Sequence, residues 1–102
     1  NLIATNWSAN TEFMNSDVAC MVDYKLIELN EDYGLFKKGY RWADADVSEA
    51  AAFMRRLYED SEYADEISKK AKVYIEKKLS TETSVELVKQ RISEIYAGQL
   101  TI

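Results

Sequence analysis

The stretch "LIATNWSANTEFMNSDVACMVDY", residues 2–24, decides the fold of this chain. It opens with an apolar run at 2–5 of the kind found in strands buried on both faces of a parallel sheet. A polar segment follows, in which Ser8 is placed to cap a helix over 9–14. The run 18–24 predicts a second strand. Strand, helix and strand in this order predict a βαβ-like unit with parallel strands.

The bulk composition limits what the chain does. It has 102 residues, 47% apolar and 30% charged, which indicates one globular domain with a thin core. A net charge of −5 argues against nucleic-acid binding, and the absence of histidine excludes His-based catalytic and metal sites. Apolar runs fall short of the roughly 20 residues of a membrane span, so no transmembrane segment is predicted. Cys20, the single cysteine, indicates a reducing, cytoplasmic compartment.

Residues 25–45 are predicted to be an irregular loop. The segment "ELNEDYGLFKKGYRWADAD" at 28–46 holds two of the three glycines and shows neither helical nor strand periodicity. Long loops in compact domains commonly carry function or are mobile.

Residues 46–98 are predicted to form three helices. Glu49 completes a capping box at the start of the first helix, and Gly98 provides a stop for the last. The predicted capping residues are, in order, Asp46, Ser61 and either Ser80 or Thr81. The apolar residues expected to face a core are Val47, Ala50, Ala51, Met54, Leu57 and Tyr58, then Ala64, Ile67, Ala71, Tyr74 and Ile75, then Val85, Val88, Ile92, Ile95 and Tyr96.

Two local patterns are candidates for binding chemistry. Asp44-Ala45-Asp46 spells D-x-D, which can chelate a divalent cation, but helix capping accounts for it better and no metal site is predicted. The second pattern interleaves aromatic and basic residues: Tyr33, Phe36, Lys37, Lys38, Tyr40, Arg41 and Trp42. These rings could stack on a base or a sugar, although a structural role in anchoring the loop is the favoured interpretation.

The polar segment after the first strand is the leading site candidate. A helix that begins at the carboxyl end of a parallel strand is where open α/β sheets bind ligands. Trp7 provides a stacking surface of the kind that sugars and bases use. The side chains that offer hydrogen bonds are Asn6, Ser8, Asn10 and Thr11. A packing role for Trp7 and a capping role for Ser8 are the alternatives.

Three ordered segments resemble the C-terminal end of family 4 glycosyltransferases of the GT-B fold. They are "LIATNWSANTEFMN" at 2–15, "CMVDYKLI" at 20–27 and "GYRWADADVSEAAAFMRRLYED" at 39–60. The family pattern is an apolar strand, a W-S-G-N loop, L-V-D-Y, a G-x-x-W-A-E-P-D segment and A-A-x-x-M-R-x-x-Y-E-D. The chain departs from it at Ala9, where glycine is usual and a positive φ would be strained, and at Ala45, where proline is usual.

The resemblance implies a partial Rossmann-like α/β unit, with two short parallel strands followed by a three-helix C-terminal segment. It implies transfer of a sugar, with retention, from a nucleotide-sugar donor to an unknown acceptor, without a metal or other cofactor. The matching donor-cleft positions are Asn6, Trp7, Ser8, Ala9, Asn10 and Glu12. The family's E-x7-E carboxylates and phosphate-binding Arg and Lys lie upstream of the first strand matched here. No catalytic residue is therefore carried over.

The chain is accordingly expected to be one C-terminal fragment, 1–102, of a donor-binding domain: strand-helix-strand over 1–24, loop over 25–45 and helices over 46–98. Alone it is expected to be inactive and to self-associate as a homodimer through open strand edges. The alternative is a small α/β protein-interaction module without catalysis, which would use the aromatic segment 33–42 and one helix face.

Overall fold

The computed structural model describes residues 1–98 of the chain; residues 99–102, which the predicted fragment 1–102 includes, lie outside the described part. The fold is mixed α/β. Its elements are β1 (Ile3–Thr5), a short 3₁₀ helix (Ser8–Glu12), β2 (Cys20–Val22), β3 (Tyr24–Glu28), β4 (Arg41–Ala45), α1 (Val47–Glu59), α2 (Ser61–Lys78) and α3 (Thr81–Tyr96). Two compact units divide the chain within α2: Asn1–Ala71 and a second unit that begins at Lys72.

The parallel pairing predicted for the first two strands is confirmed. Ile3 lies opposite Cys20 and Thr5 lies opposite Val22. The Cys20 amide donates to the Leu2 carbonyl at 2.9 Å, and the Asn6 amide donates to the Val22 carbonyl at 2.8 Å, so the ladder extends past both ends of β1. The crossover between the strands is short, because its only helix is the 3₁₀ segment rather than the α-helix expected over 9–14.

The core of the first unit surrounds β2. Its buried side chains are Met14, Val18, Ala19, Cys20, Val22, Leu29 and Ile67. Helix α1 packs against both parallel strands. The Cys20 Sγ lies 3.7 Å from the Tyr63 Oη, and the Arg56 guanidinium lies 3.5 Å from the centre of the Tyr63 ring. Cys20 is therefore a buried core thiol.

The prediction of an irregular loop over 25–45 is wrong. This segment forms a β-hairpin in which β3 and β4 pair antiparallel from Tyr24 opposite Ala45 to Glu28 opposite Arg41. Cross-strand pairs of opposite charge stabilise such ribbons, and the register sets Lys25 opposite Asp44 as well as Glu28 opposite Arg41. Charged and apolar residues do not alternate regularly along either strand. The sequence pattern therefore did not show the two-residue period that identifies a strand.

The starts of α1 and α2 require two corrections to the predicted caps. The Asp46 carboxylate accepts from the Glu49 amide at 3.0 Å, as expected of an N-cap. Glu49 does not close the box on Asp46; it accepts instead from the Asp23 amide at 3.2 Å, which ties α1 to the end of β2. Helix α2 is capped by Asp60, whose carboxylate accepts from the Tyr63 amide at 3.0 Å, and not by Ser61.

The end caps of the last helix are confirmed. The Ser80 hydroxyl accepts from the Thr83 amide at 3.1 Å, so Ser80, and not Thr81, caps α3. Gly98 follows the helix with a φ of +70°, the left-handed conformation that ends helices and suits glycine.

The predicted core faces of the helices are covered only in part. Ile67 is buried as expected, whereas Val47, Met54 and Tyr58 of α1 are 78%, 64% and 91% exposed. No residue of α1 or α3 is fully buried. Helical spacing identifies an apolar face, but burial requires an element that covers it.

Replacement of Asp46 by alanine tests the cap that positions α1. Because the carboxylate satisfies the Glu49 amide, we expect Asp46→Ala to lower the free energy of unfolding by about 1 kcal/mol. Asp65→Ala is the matched control, because it removes an exposed carboxylate from α2 that caps no helix, and it should change stability little. Urea denaturation of both variants measures the difference; equal losses would show that Asp46 acts through charge alone.

The Tyr63 phenol should make the fold sensitive to alkaline pH. Burial, and then the hydrogen bond with Cys20, raise the pKa of Tyr63 above its ordinary value of 10.0. The unfolded chain therefore ionises first, so this stabilisation is complete below pH 10 and is lost as the pH rises through the folded pKa. Lys70, whose pKa is raised by its hydrogen bond to Glu66, loses stabilisation over the same range.

The Tyr63→Phe variant isolates the contribution of Tyr63. Denaturation of wild type and Tyr63→Phe between pH 8 and pH 11 should show a shallower decline for the variant, because Lys70 and Tyr33, whose pKa is raised by its hydrogen bond with Glu31, then remain the contributing groups. Parallel declines would contradict a half-buried Tyr63 whose neutral form is favoured in the folded state.

Candidate functional site

The polar turn at 6–12 is held by the last carbonyl of β1. The Trp7 amide donates to the Thr5 carbonyl at 2.8 Å, and the Asn10 side-chain amide donates to the same oxygen at 2.9 Å. Asn10 is half-buried and also approaches the Met14 sulfur at 3.9 Å. Asn10 therefore shapes the turn instead of presenting its amide to a ligand.

Ser8 does not cap the 3₁₀ helix, so that prediction is wrong. The N-cap position belongs to Trp7, whose side chain makes no capping hydrogen bond. Ser8 has a φ of +70°, and its carbonyl accepts from the Thr11 hydroxyl at 2.7 Å. This left-handed residue makes the sharp turn, and Ala9 beside it has no positive φ. The alanine at position 9, where the family has glycine, is therefore free of that strain.

Trp7 packs against a neighbouring ring and remains partly exposed. Its ring centre lies 5.2 Å from that of Tyr24 with the planes tilted by 56°, so one side of the indole packs on a neighbour. The side chain nevertheless remains 39% exposed. Tyr24, the first residue of β3, supports the predicted site although sequence reasoning assigned it no role there; only its position just after the second apolar run pointed to it.

Tyr24 also lines a depression where β3 begins and β4 ends. It has a volume of about 260 Å³ and is lined by Asp23, Tyr24, Lys25, Asp44, Ala45 and Asp46. Asp46 is engaged as a cap, and Asp44 lies opposite Lys25 in the hairpin. Within residues 1–98 no three carboxylates or thiols converge in a way that could hold a metal ion.

The structure brings the six predicted donor-cleft residues together on one short turn. Asn6, Ser8, Ala9 and Glu12 are exposed to solvent, Trp7 is exposed on one side and Asn10 is half-buried. Exposed hydrogen-bonding groups thus surround a partly exposed indole at the carboxyl end of a parallel strand. Such a surface can stack on a flat ring and bind its polar substituents.

Glu86 and Glu94 of α3 have the E-x7-E spacing of the catalytic segment in family 4 glycosyltransferases. The residues around them do not match that segment. Glu86 forms an ion pair with Lys89 at 3.3 Å, and Glu94 forms one with Arg91 at 3.7 Å. Both pairs are exposed charges on a helix surface. The spacing is therefore explained by helix-surface pairing.

Comparison with known proteins gives no match: no protein-family description, curated protein or solved structure is similar to this chain. Among the described residues, no α-helix combines the length and apolar character that crossing a membrane requires.

A glycine at position 8 tests the turn. Because glycine adopts positive φ without strain, we expect Ser8→Gly to leave the free energy of unfolding unchanged or to raise it by about 0.5 kcal/mol. The neighbouring Ala9→Gly variant should lower it by about 0.5–1 kcal/mol, since glycine there only adds freedom to the unfolded chain. Thermal denaturation compares the two variants, and the reverse order would place the left-handed residue at position 9.

Proposed function

We propose that this chain forms the C-terminal portion of the nucleotide-sugar donor-binding domain of a retaining glycosyltransferase. The observation that carries the proposal is the turn at 6–12, which presents Trp7 at the carboxyl end of parallel strand β1. It coincides with the segment in which the sequence resembles family 4 glycosyltransferases.

Each residue of the turn has a role in this proposal. The indole of Trp7, fixed against Tyr24, offers a preorganised face for the base or the sugar of the donor. Asn6, Ser8 and Glu12 are exposed beside it and provide hydrogen bonds to hydroxyl groups. Asn10 acts indirectly by holding the Thr5 carbonyl and thereby the turn.

The chain acts as one wall of a donor cleft. In the proposed arrangement the groups that stabilise the leaving phosphate, and the site of the acceptor, belong to the remainder of a Rossmann-like domain and to a facing domain. Transfer without a metal is implied by the resemblance to family 4 glycosyltransferases, and Asp46 serves instead as the cap of α1 through the Glu49 amide. We place the protein in the cytoplasm on its single buried thiol.

The open edges of the two-stranded parallel sheet support a further part of the proposal. Among the described residues β1 and β2 pair only with each other, and a strand edge without a strand partner is a template for another strand. We expect the chain on its own to form a homodimer through these edges.

A protein-interaction module is the second candidate, and one feature of α1 favours it. Val47, Ala51, Met54 and Tyr58 recur at spacings of four, three and four residues and are all exposed. This narrow apolar stripe has the geometry with which one helix packs along another.

Titration with nucleotide sugars tests the donor-site proposal. Because the phosphate-binding groups of the family are not among the matched residues, we expect no sugar transfer and weak binding, with a dissociation constant of roughly 1 mM or above. Amide resonances of residues 6–12 should shift in ¹H–¹⁵N spectra when UDP- or GDP-sugars are added. Trp7→Ala should abolish these shifts.

The control is Trp42→Ala, which removes an indole of similar exposure from the hairpin and should preserve the shifts. Robust turnover by the chain, or shifts confined to α1, would contradict the proposal. Reading the coding sequence 5′ of the Asn1 codon for an E-x7-E segment separates the glycosyltransferase from the interaction module.

A further inference from the structure

We propose that the hairpin tip, residues 33–42, docks on an anionic lipid surface, with Leu35 and Phe36 entering the boundary between headgroups and acyl chains. This inference goes beyond the proposed function and does not depend on it. It rests on the exposure, the internal hydrogen bonding and the charge of the tip.

The apex of the hairpin consists of apolar side chains that project into solvent. Leu35 is 91% exposed and Phe36 is 55% exposed. Leu35 has neither a ring nor a polar group, so it offers a flat, polar ligand no stacking face and no hydrogen bond. Transfer of the Leu35 and Phe36 side chains into an apolar medium is favourable, and the apex of the turn can enter such a medium from one side.

Three backbone amides of the tip, those of Tyr33, Phe36 and Tyr40, donate to carbonyls within the tip. The Tyr33 amide donates to the Phe36 carbonyl at 2.7 Å, and the Phe36 amide donates back to the Tyr33 carbonyl at 2.9 Å. Gly34, with a φ of +58°, permits the tight turn between them. The Tyr40 amide is bonded to the Lys37 carbonyl at 3.0 Å. Internal pairing of this kind lowers the cost of moving backbone out of water.

An aromatic cluster lies directly behind the apex. The Trp42 ring centre lies 5.5 Å from that of Tyr33 and 6.1 Å from that of Phe36. Ile27 faces Trp42 across the hairpin. Trp and Tyr are favoured at the level of lipid headgroups, because each combines an apolar ring with a polar group.

The cations of the tip favour an anionic lipid. Residues 33–42 contain three cations, Lys37, Lys38 and Arg41, and no carboxylate, whereas Glu31 and Asp32 directly precede this segment in a chain of net charge −5. Lys37 pairs with Asp32 at 3.5 Å and Arg41 with Glu28 at 3.6 Å. Both pairs are exposed and therefore weak, so anionic headgroups can compete with these carboxylates.

Vesicle binding by the purified chain tests this inference. We expect co-sedimentation with vesicles of phosphatidylcholine and phosphatidylserine, at least about fivefold weaker binding to phosphatidylcholine alone, and release by added salt. Leu35→Ser with Phe36→Ser should weaken binding by about tenfold or more, because the inserted apolar area is lost. Lys37→Gln with Lys38→Gln should weaken it by roughly fivefold per charge.

Two matched double variants keep the test specific. Val47→Ser with Met54→Ser removes apolar side chains of similar exposure from α1, and Lys69→Gln with Lys72→Gln removes two exposed cations from α2. Both should bind vesicles as wild type does, and circular dichroism should show all variants folded. Three results would overturn the proposal. The chain fails to bind the anionic vesicles, or the control and tip variants lose vesicle binding equally. In the third, the chain binds a soluble glycan or nucleotide through Trp42 and does not bind vesicles.

Discussion

The parallel pairing of β1 with β2 is the constraint on which the rest of the first unit depends. Its hydrogen bonds join Leu2 to Cys20 and Asn6 to Val22, so the turn that follows β1 is fixed at the same edge as the end of β2. The Trp7 amide and the Asn10 side chain then complete the turn by donating to the same Thr5 carbonyl. Without this register Trp7 would lie far from Tyr24, and the candidate site would lose its support.

Asp23, directly after β2, connects this pair to the remaining elements. Its carbonyl accepts from the Asp46 amide at 2.9 Å, and its amide donates to the Glu49 side chain at 3.2 Å. Its own carboxylate accepts from the Tyr24 amide at 3.0 Å, where β3 begins. One exposed aspartate thus joins the parallel pair, the hairpin and the first turn of α1. The start of α1 is therefore set by a long-range contact as well as by its local cap.

The sequence predicted those features whose cause is local. Apolar runs identified both parallel strands, and short-range hydrogen bonds made Asp46 and Ser80 recognisable as caps. The hairpin was missed because its evidence is the pairing of Lys25 with Asp44 and of Glu28 with Arg41, across more than ten residues of chain. The left-handed Ser8 was missed because its conformation is imposed by Thr5 and by the strand before it.

Burial was the property that sequence could predict least. Val47, Met54 and Tyr58 satisfy every local criterion for a core face, yet they are exposed within the described chain. Covering each of them would contribute about 1.5–3 kcal/mol, which is a large fraction of the stability of a small domain. A partner helix bound along this stripe would stabilise the fold in proportion to its occupancy. Helix α1 also packs on β1 and β2, which hold the turn at 6–12.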